Sequence, residues 1–274
     1  MATSIPADRF AELHVHLEGT VEAELLTRID PGLERRAAEE AYRYADFSGF
    51  LQAFKFVVMR LRDAEHYRAA AREMFQRMAE EGIVYAEVIH SAGVNVWRGL
   101  DAGKIVEALI EEGRRAPLEV RWILDAVRQF GGEHVLETAK LAGRYAGDEV
   151  VGFGVGGDET GAKAAELAAG FRWAREAGLH LTAHAGETST AANVWEALEL
   201  GVERIGHGIR AVDDERLLAE LAARQLPLEL SLSSNVKTGA VRSLAEHPAR
   251  RIWEAGVPIV LNTDDPALFG TKLR

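Results

Sequence analysis

The 274-residue chain contains no cysteine. That excludes disulfides, thiolate metal ligands and a cysteine nucleophile, and it fits a cytoplasmic setting. No apolar run approaches the ~20 residues a membrane helix needs, so no membrane partner is expected. The stretch from Met1 to Ala11 lacks the basic-then-apolar order of a secretory leader. An excess of positive charge is also missing, since 43 acidic and 32 basic residues leave a formal charge of −11. Nucleic-acid binding calls for a basic footprint, so the expected partner is a small molecule. Linker-like stretches, low-complexity tracts and tandem repeats are absent too, which points to one domain over residues 1–274.

What is present fits a soluble protein with a substantial core, at 47% hydrophobic and 27% charged residues. The stretch around which the chain is organised is Leu13-His14-Val15-His16-Leu17-Glu18-Gly19. Alternation places His14 and His16 on one face of a strand, and two neutral imidazoles one repeat apart suit a single metal ion. Residues 21–81 read as helical, and Phe47, Phe50, Phe54, Phe56 and Met59 recur at roughly helical spacing. A buried helix face is the expected role of these rings, in preference to a substrate lid.

From residue 83 a regular cadence follows. Strands are expected at 83–90, 118–126, 150–155, 179–184, 204–208, 227–232 and 257–262. Helices are expected between them at 104–115, 133–145, 162–177, 193–200, 214–224 and 244–255. With the first strand this gives eight strands separated by helices, the arithmetic of an α/β (β/α)8 TIM barrel. Only Asp264 to Arg274 follows the eighth strand, too little for a loop and a full closing helix. The expectation is a barrel short of its final helix, through truncation or replacement by a neighbouring subunit, with apolar surface exposed there otherwise.

Catalytic groups of such barrels gather at the C-terminal ends of the strands. Those ends supply His14 and His16, Gly156-Gly157-Asp158-Glu159, His184-Ala185-Gly186-Glu187, Gly206-His207-Gly208, Glu229 with Ser233-Ser234-Asn235, and Thr263-Asp264-Asp265-Pro266. His90 also ends a strand and is a minor candidate for the pocket lining, whereas His66, His134, His180 and His247 read as exposed or structural. Histidines with a carboxylate suit Zn²⁺ or a similar first-row ion, which lowers the pKa of a water in the open position towards ~7. The bland alternatives are that Asp158 and Glu159 only brace a turn and that Asp264 with Asp265 cap a helix ahead of Pro266.

In these segments the sequence resembles the adenosine deaminase family of metal-dependent amidohydrolases. The matching motifs are ELHVHLEG (12–19), GGDE (156–159), HAGE (184–187), GHG (206–208), SSNVKTGAV (233–241) and LNTDDPALFGT (261–271). The resemblance implies one Zn²⁺ per chain on His14, His16, His184 and Asp264. It makes Glu187 the proton shuttle to the purine ring nitrogen, and His207 the group that orients or deprotonates the attacking water. Asp265 would bond the five-membered ring of the purine, and the Gly157 N–H the opposite ring nitrogen. His16 and Glu18 would also face the substrate, with Glu229 orienting His207. Glu18 departs from the aspartate of many family members, which bears on sugar recognition. The reaction implied first is hydrolysis of adenosine to inosine and ammonia, with deamination of adenine, an N6-substituted adenine, an adenine nucleotide or 6-aminodeoxyfutalosine as the alternative. Arg128 is a candidate for an anionic tail on such a substrate, or a surface or salt-bridged arginine. Two other readings compete. A two-metal amidohydrolase is disfavoured by Gly156-Gly157-Asp158 where its modified lysine would stand, and a non-catalytic barrel by the complete set of acid, base and ligand residues.

Overall fold

The computed structural model describes residues 9–273. Its eight strands are β1 (Phe10–His16), β2 (Ile83–His90), β3 (Glu119–Val127), β4 (Val150–Gly156), β5 (His180–Ala185), β6 (Arg204–His207), β7 (Leu228–Leu230) and β8 (Ile259–Leu261). They lie in sequence order and every adjacent pair is parallel. Beyond β8 the chain runs on against β1: the His16 N–H donates to the Asp264 carbonyl at 2.8 Å, and the Asp264 N–H to the His14 carbonyl at 3.1 Å. The result is a nearly closed (β/α)8 TIM barrel ringed by helices. The strands are rich in β-branched and aliphatic residues because parallel barrel strands are covered on both faces. Val88, Val120, Ile123, Leu124, Val155, Leu181, Ile205 and Leu228 are all buried.

Residues 21–81 form four helices, Ala23–Ile29, Arg35–Ala41, Phe47–Val58 and Ala64–Glu80. The last two begin on Asp46 and Asp63, whose carboxylates accept the free backbone N–H groups of the first turn. The helix expected at 244–255 is shorter, Ala249–Glu254. Pro248 sets its start, since proline has no N–H to continue a turn backwards. Strand β7 ends at Leu230 rather than 232 because Leu232–Lys237 is a helical turn. Pro266–Phe269 is the short final helix, and Leu261 on β8 is 49% exposed. None of the described helices is long and apolar enough to cross a membrane.

The phenylalanines differ from expectation. Phe47, Phe50 and Phe54 are only half-buried, and they line a cavity at the C-terminal mouth of the barrel. Phe50 stacks on Phe269 with centroids 4.9 Å apart, and Phe54 meets His16 edge-on at 6.3 Å. The periodicity marks one face of the helix, but that face covers a pocket instead of a core.

Candidate active site

The strand ends converge on one cavity of about 350 Å³. His14 and His16 come from the end of β1, His184 from β5, His207 from the last position of β6, and Asp264 from the loop after β8. One ligand atom each from His14, His16, His184 and Asp264 lies within 4.8 Å of the others. The Nε2 atoms of His16 and His184 face each other at 3.1 Å. The Nε2 atoms of His14 and His16 stand 3.6 and 3.5 Å from Asp264 Oδ1. A tetrahedron with metal–ligand distances of about 2.0–2.1 Å has edges of about 3.3–3.4 Å, so these spacings suit one ion.

Electrostatics agree. Burial holds the His16 imidazole down to about 4 despite the pull of Asp264. Burial, aided by the other histidines, holds His184 well below its usual range. Both rings are neutral and offer lone pairs. Burial opposes charge on His14, yet the Asp264 and Glu229 carboxylates push it up to about 10. Burial would raise Asp264 as well, but the surrounding histidines keep it well below the carboxylate range. The site is built for a positive charge. His14 Nε2 is buried with no partner, the state of a nitrogen waiting for an ion. The donor set of three imidazoles and one carboxylate fits a first-row divalent metal.

His207 and Asp264 hold φ angles of 63° and 68°, a conformation that non-glycine residues rarely adopt. In both cases the surrounding contacts hold the side chain at the cluster. Ser234 Oγ donates to Asp264 Oδ2 at 2.6 Å. His207 Nε2 lies 3.6 Å from Glu187 Oε2 and 3.8 Å from Asp264 Oδ2.

Glu187 lines the cavity, and burial raises its carboxyl. Its Oε1 accepts from Asn235 Nδ2 and Thr238 Oγ1, both at 3.2 Å. Glu159 supports its backbone. That carboxylate accepts the N–H groups of Gly186, Glu187 and Thr188, and the Ser189 hydroxyl. Glu159 therefore fixes the turn after β5 and not just its own loop, while Asp158 caps Thr160. Asp265 is buried and lines the cavity. Burial and the adjacent Asp264 charge raise its carboxyl well above the usual range, and Oδ1 has no partner. Gly19 makes room for it, since a Cβ there would stand 1.9 Å from Asp265 Oδ1. Gly157 lines the same wall with φ 94°.

Three placements differ from the sequence reading. Glu229 Oε2 meets His14 Nδ1 at 2.7 Å, not His207, and Arg204 balances its charge. Glu18 is fully buried behind the cavity wall, where its carboxylate accepts from His90 Nδ1 at 2.8 Å and the Ser91 N–H at 3.1 Å. It does not reach the cavity lining, and neither does His90. Arg128 is 1% exposed and donates to the His184 carbonyl at 2.9 Å, so it braces a ligand strand and meets no anionic tail. Lys55 is the cation at the cavity rim.

Asp125 on β3 is a site residue that the reading of strand ends missed. It lines the cavity, and burial pushes its carboxyl up to about 8. A Cβ on Gly156 would stand 2.7 Å from its Oδ2. A lone aspartate inside an apolar strand was the available signal. Trp97 stacks on Phe130 at 5.1 Å on the rim and was likewise unforeseen.

Comparison with known proteins points the same way. The adenosine deaminase family model matches residues 10–274. An aminodeoxyfutalosine deaminase of Streptomyces coelicolor is 37% identical, over 96% of this chain and 72% of its own. An adenine deaminase of Rhizobium meliloti is 36% identical, over 96% and 84%. The crystal structure of an adenine deaminase from Arthrobacter aurescens superposes with a TM-score of 0.89 at 30% identity, covering 97% of this chain and 85% of that one. The match spans the strands that carry the His14, His16, His184 and Asp264 cluster and the turn that carries Glu187, and the chain belongs to the adenosine deaminase family of deaminating hydrolases.

Proposed function

We propose that this chain hydrolyses the exocyclic C–N bond of a 6-aminopurine, with zinc held by His14, His16, His184 and Asp264. The observation that carries this reading is the meeting, in one cavity, of a four-ligand cluster, a carboxyl raised by burial (Glu187) and a buried aspartate whose Oδ1 has no partner (Asp265). An ion bound at the cluster supplies Lewis acidity, which makes water nucleophilic near neutral pH. The protein's own groups do the rest. Asp265 and the Gly157 backbone orient the purine, and the aromatic wall excludes water. A water oxygen bonds to the amino-bearing carbon while Glu187 gives its proton to the neighbouring ring nitrogen. The Glu187 carboxylate takes a proton from the added oxygen and passes it to the departing amine, the C–N bond breaks, ammonia leaves, and the remaining hydroxyl proton restores the Glu187 carboxyl. Atoms balance as one water consumed and one ammonia released.

The substrate is an adenine carrying a larger substituent, of the aminodeoxyfutalosine kind, rather than adenosine itself. Supporting this are the cavity volume, its rim of Phe47, Phe50, Trp97 and Phe130, and Lys55 for an anionic end. The 37% identical aminodeoxyfutalosine deaminase supports it as well. Free adenine is the second reading, favoured because Glu18, where a sugar contact was expected, is engaged by His90. Ammonia release from the zinc-loaded protein with aminodeoxyfutalosine, adenine and adenosine in parallel decides. The highest kcat/KM is expected with aminodeoxyfutalosine. Exclusive turnover of adenine selects the second reading, and silence on all three with zinc bound sinks the assignment.

A further inference from the structure

A hydrogen-bond chain runs from a helix start on the barrel rim into the site, and its direction is fixed at the outer end. The Ala249 backbone N–H, which can only donate, bonds His247 Nδ1 at 3.1 Å. That nitrogen must accept, so a neutral His247 carries its proton on Nε2. Nε2 lies 3.1 Å from Asn235 Oδ1 and donates to it. The Asn235 amide is thereby turned with Nδ2 inward, 3.0 Å from His207 Nδ1 and 3.2 Å from Glu187 Oε1. His207 Nδ1 therefore accepts, and the proton of its neutral ring sits on Nε2, the nitrogen facing Glu187 and Asp264. Reversing the amide would set Nδ2 against the His247 N–H, and the Ala249 donor blocks the compensating tautomer. Geometry settles here what amide and imidazole assignments usually leave open.

We propose that His247 and Asn235 are positioning residues that lock His207 with its proton on Nε2. His207 then donates a hydrogen bond to the attacking oxygen and does not remove its proton, which leaves base chemistry to the carboxylates. The role at the oxygen rests on the deaminase reading above; the lock does not.

The test is long-range ¹H–¹⁵N NMR on zinc-loaded protein labelled at histidine nitrogens, which assigns the His207 tautomer without any substrate. The expected result is a neutral ring protonated at Nε2. A proton on Nδ1 overturns the lock outright, and needs no variant to be seen. His247→Phe keeps a ring but loses both donor and acceptor. It should leave His207 as a mixture of tautomers, with kcat lower on the order of tenfold and KM within about twofold. His247→Gln keeps an N–H towards Asn235 and should restore both the single tautomer and kcat. A Phe variant with the wild-type tautomer, or a Gln variant that rescues neither readout, removes His247 from the role. Should the Phe variant fail to fold, the wild-type spectrum and the Gln variant decide. A locked Nε2–H in a protein that deaminates no purine would preserve the lock and discard the reaction.

Discussion

Glu159→Gln isolates the part of the site that positions Glu187. In the native protein both carboxylate oxygens of Glu159 receive backbone N–H groups: Oε1 those of Glu187 and Thr188, Oε2 that of Gly186. The residue is 3% exposed, so water does not substitute for a lost partner. An amide keeps the shape but exchanges one oxygen for NH₂, and in either orientation that NH₂ meets a backbone donor. At least one buried N–H is left without an acceptor, at a cost of about 1–3 kcal/mol. A chain of this size loses roughly 2–4 °C of melting temperature per kcal/mol, so Tm should fall by about 2–12 °C. The turn that loosens carries Glu187, and kcat should fall on the order of tenfold with metal content unchanged. Thermal unfolding followed by circular dichroism, with steady-state ammonia release, provides both readouts. A variant with native Tm and native kcat would refute the claim that Glu159 organises this turn.

Further expectations follow from the same geometry. Glu187→Gln should bind metal normally yet turn over about 10²–10⁴-fold more slowly, checked by metal analysis and ammonia release; native turnover excludes the shuttle role. Glu229→Gln weakens the acceptor on His14 Nδ1 and should lower metal affinity about 10–100-fold in chelator competition, whereas an unchanged affinity removes Glu229 from the metal site. Burial pushes the His247 imidazole down to about 4. The unfolded chain, with its ring near ~6.5, takes up that proton first. The corresponding stability is complete above about pH 6.5 and is lost as pH falls towards about 4. His247→Gln should flatten that part of the Tm–pH curve, and superimposable curves would show that the ring does not titrate this way.

Much of the fold was legible locally. Strand β2 occupies 83–90 as the run IVYAEVIH indicates, and most other strands fall within one or two residues of expectation. A buried parallel strand is an apolar run between polar helices, and that contrast is a short-range property of sequence. The cluster was legible for a related reason. A period of two aims His14 and His16 the same way, and barrel topology brings strand ends to one rim. The shorter β7 was not legible, because the helical turn at Leu232–Lys237 ends it.

The sequence by itself therefore determined the barrel, the rim that holds the chemistry and the residue types gathered there. Only the tertiary structure decided which groups touch. Glu229 belongs to His14, 215 positions away, because the barrel sets β7 and β1 across one interior. Arg128 is sealed under β5 and Glu18 behind β2, although both stand next to promising motifs. Asn235 bridges His207, Glu187 and His247 from a turn that the sequence assigned to a strand end. Periodicity fixes the face on which a side chain lies. Its partner depends on register, loop path and the competition among buried polar groups for hydrogen bonds, and those exist only once the chain has closed on itself.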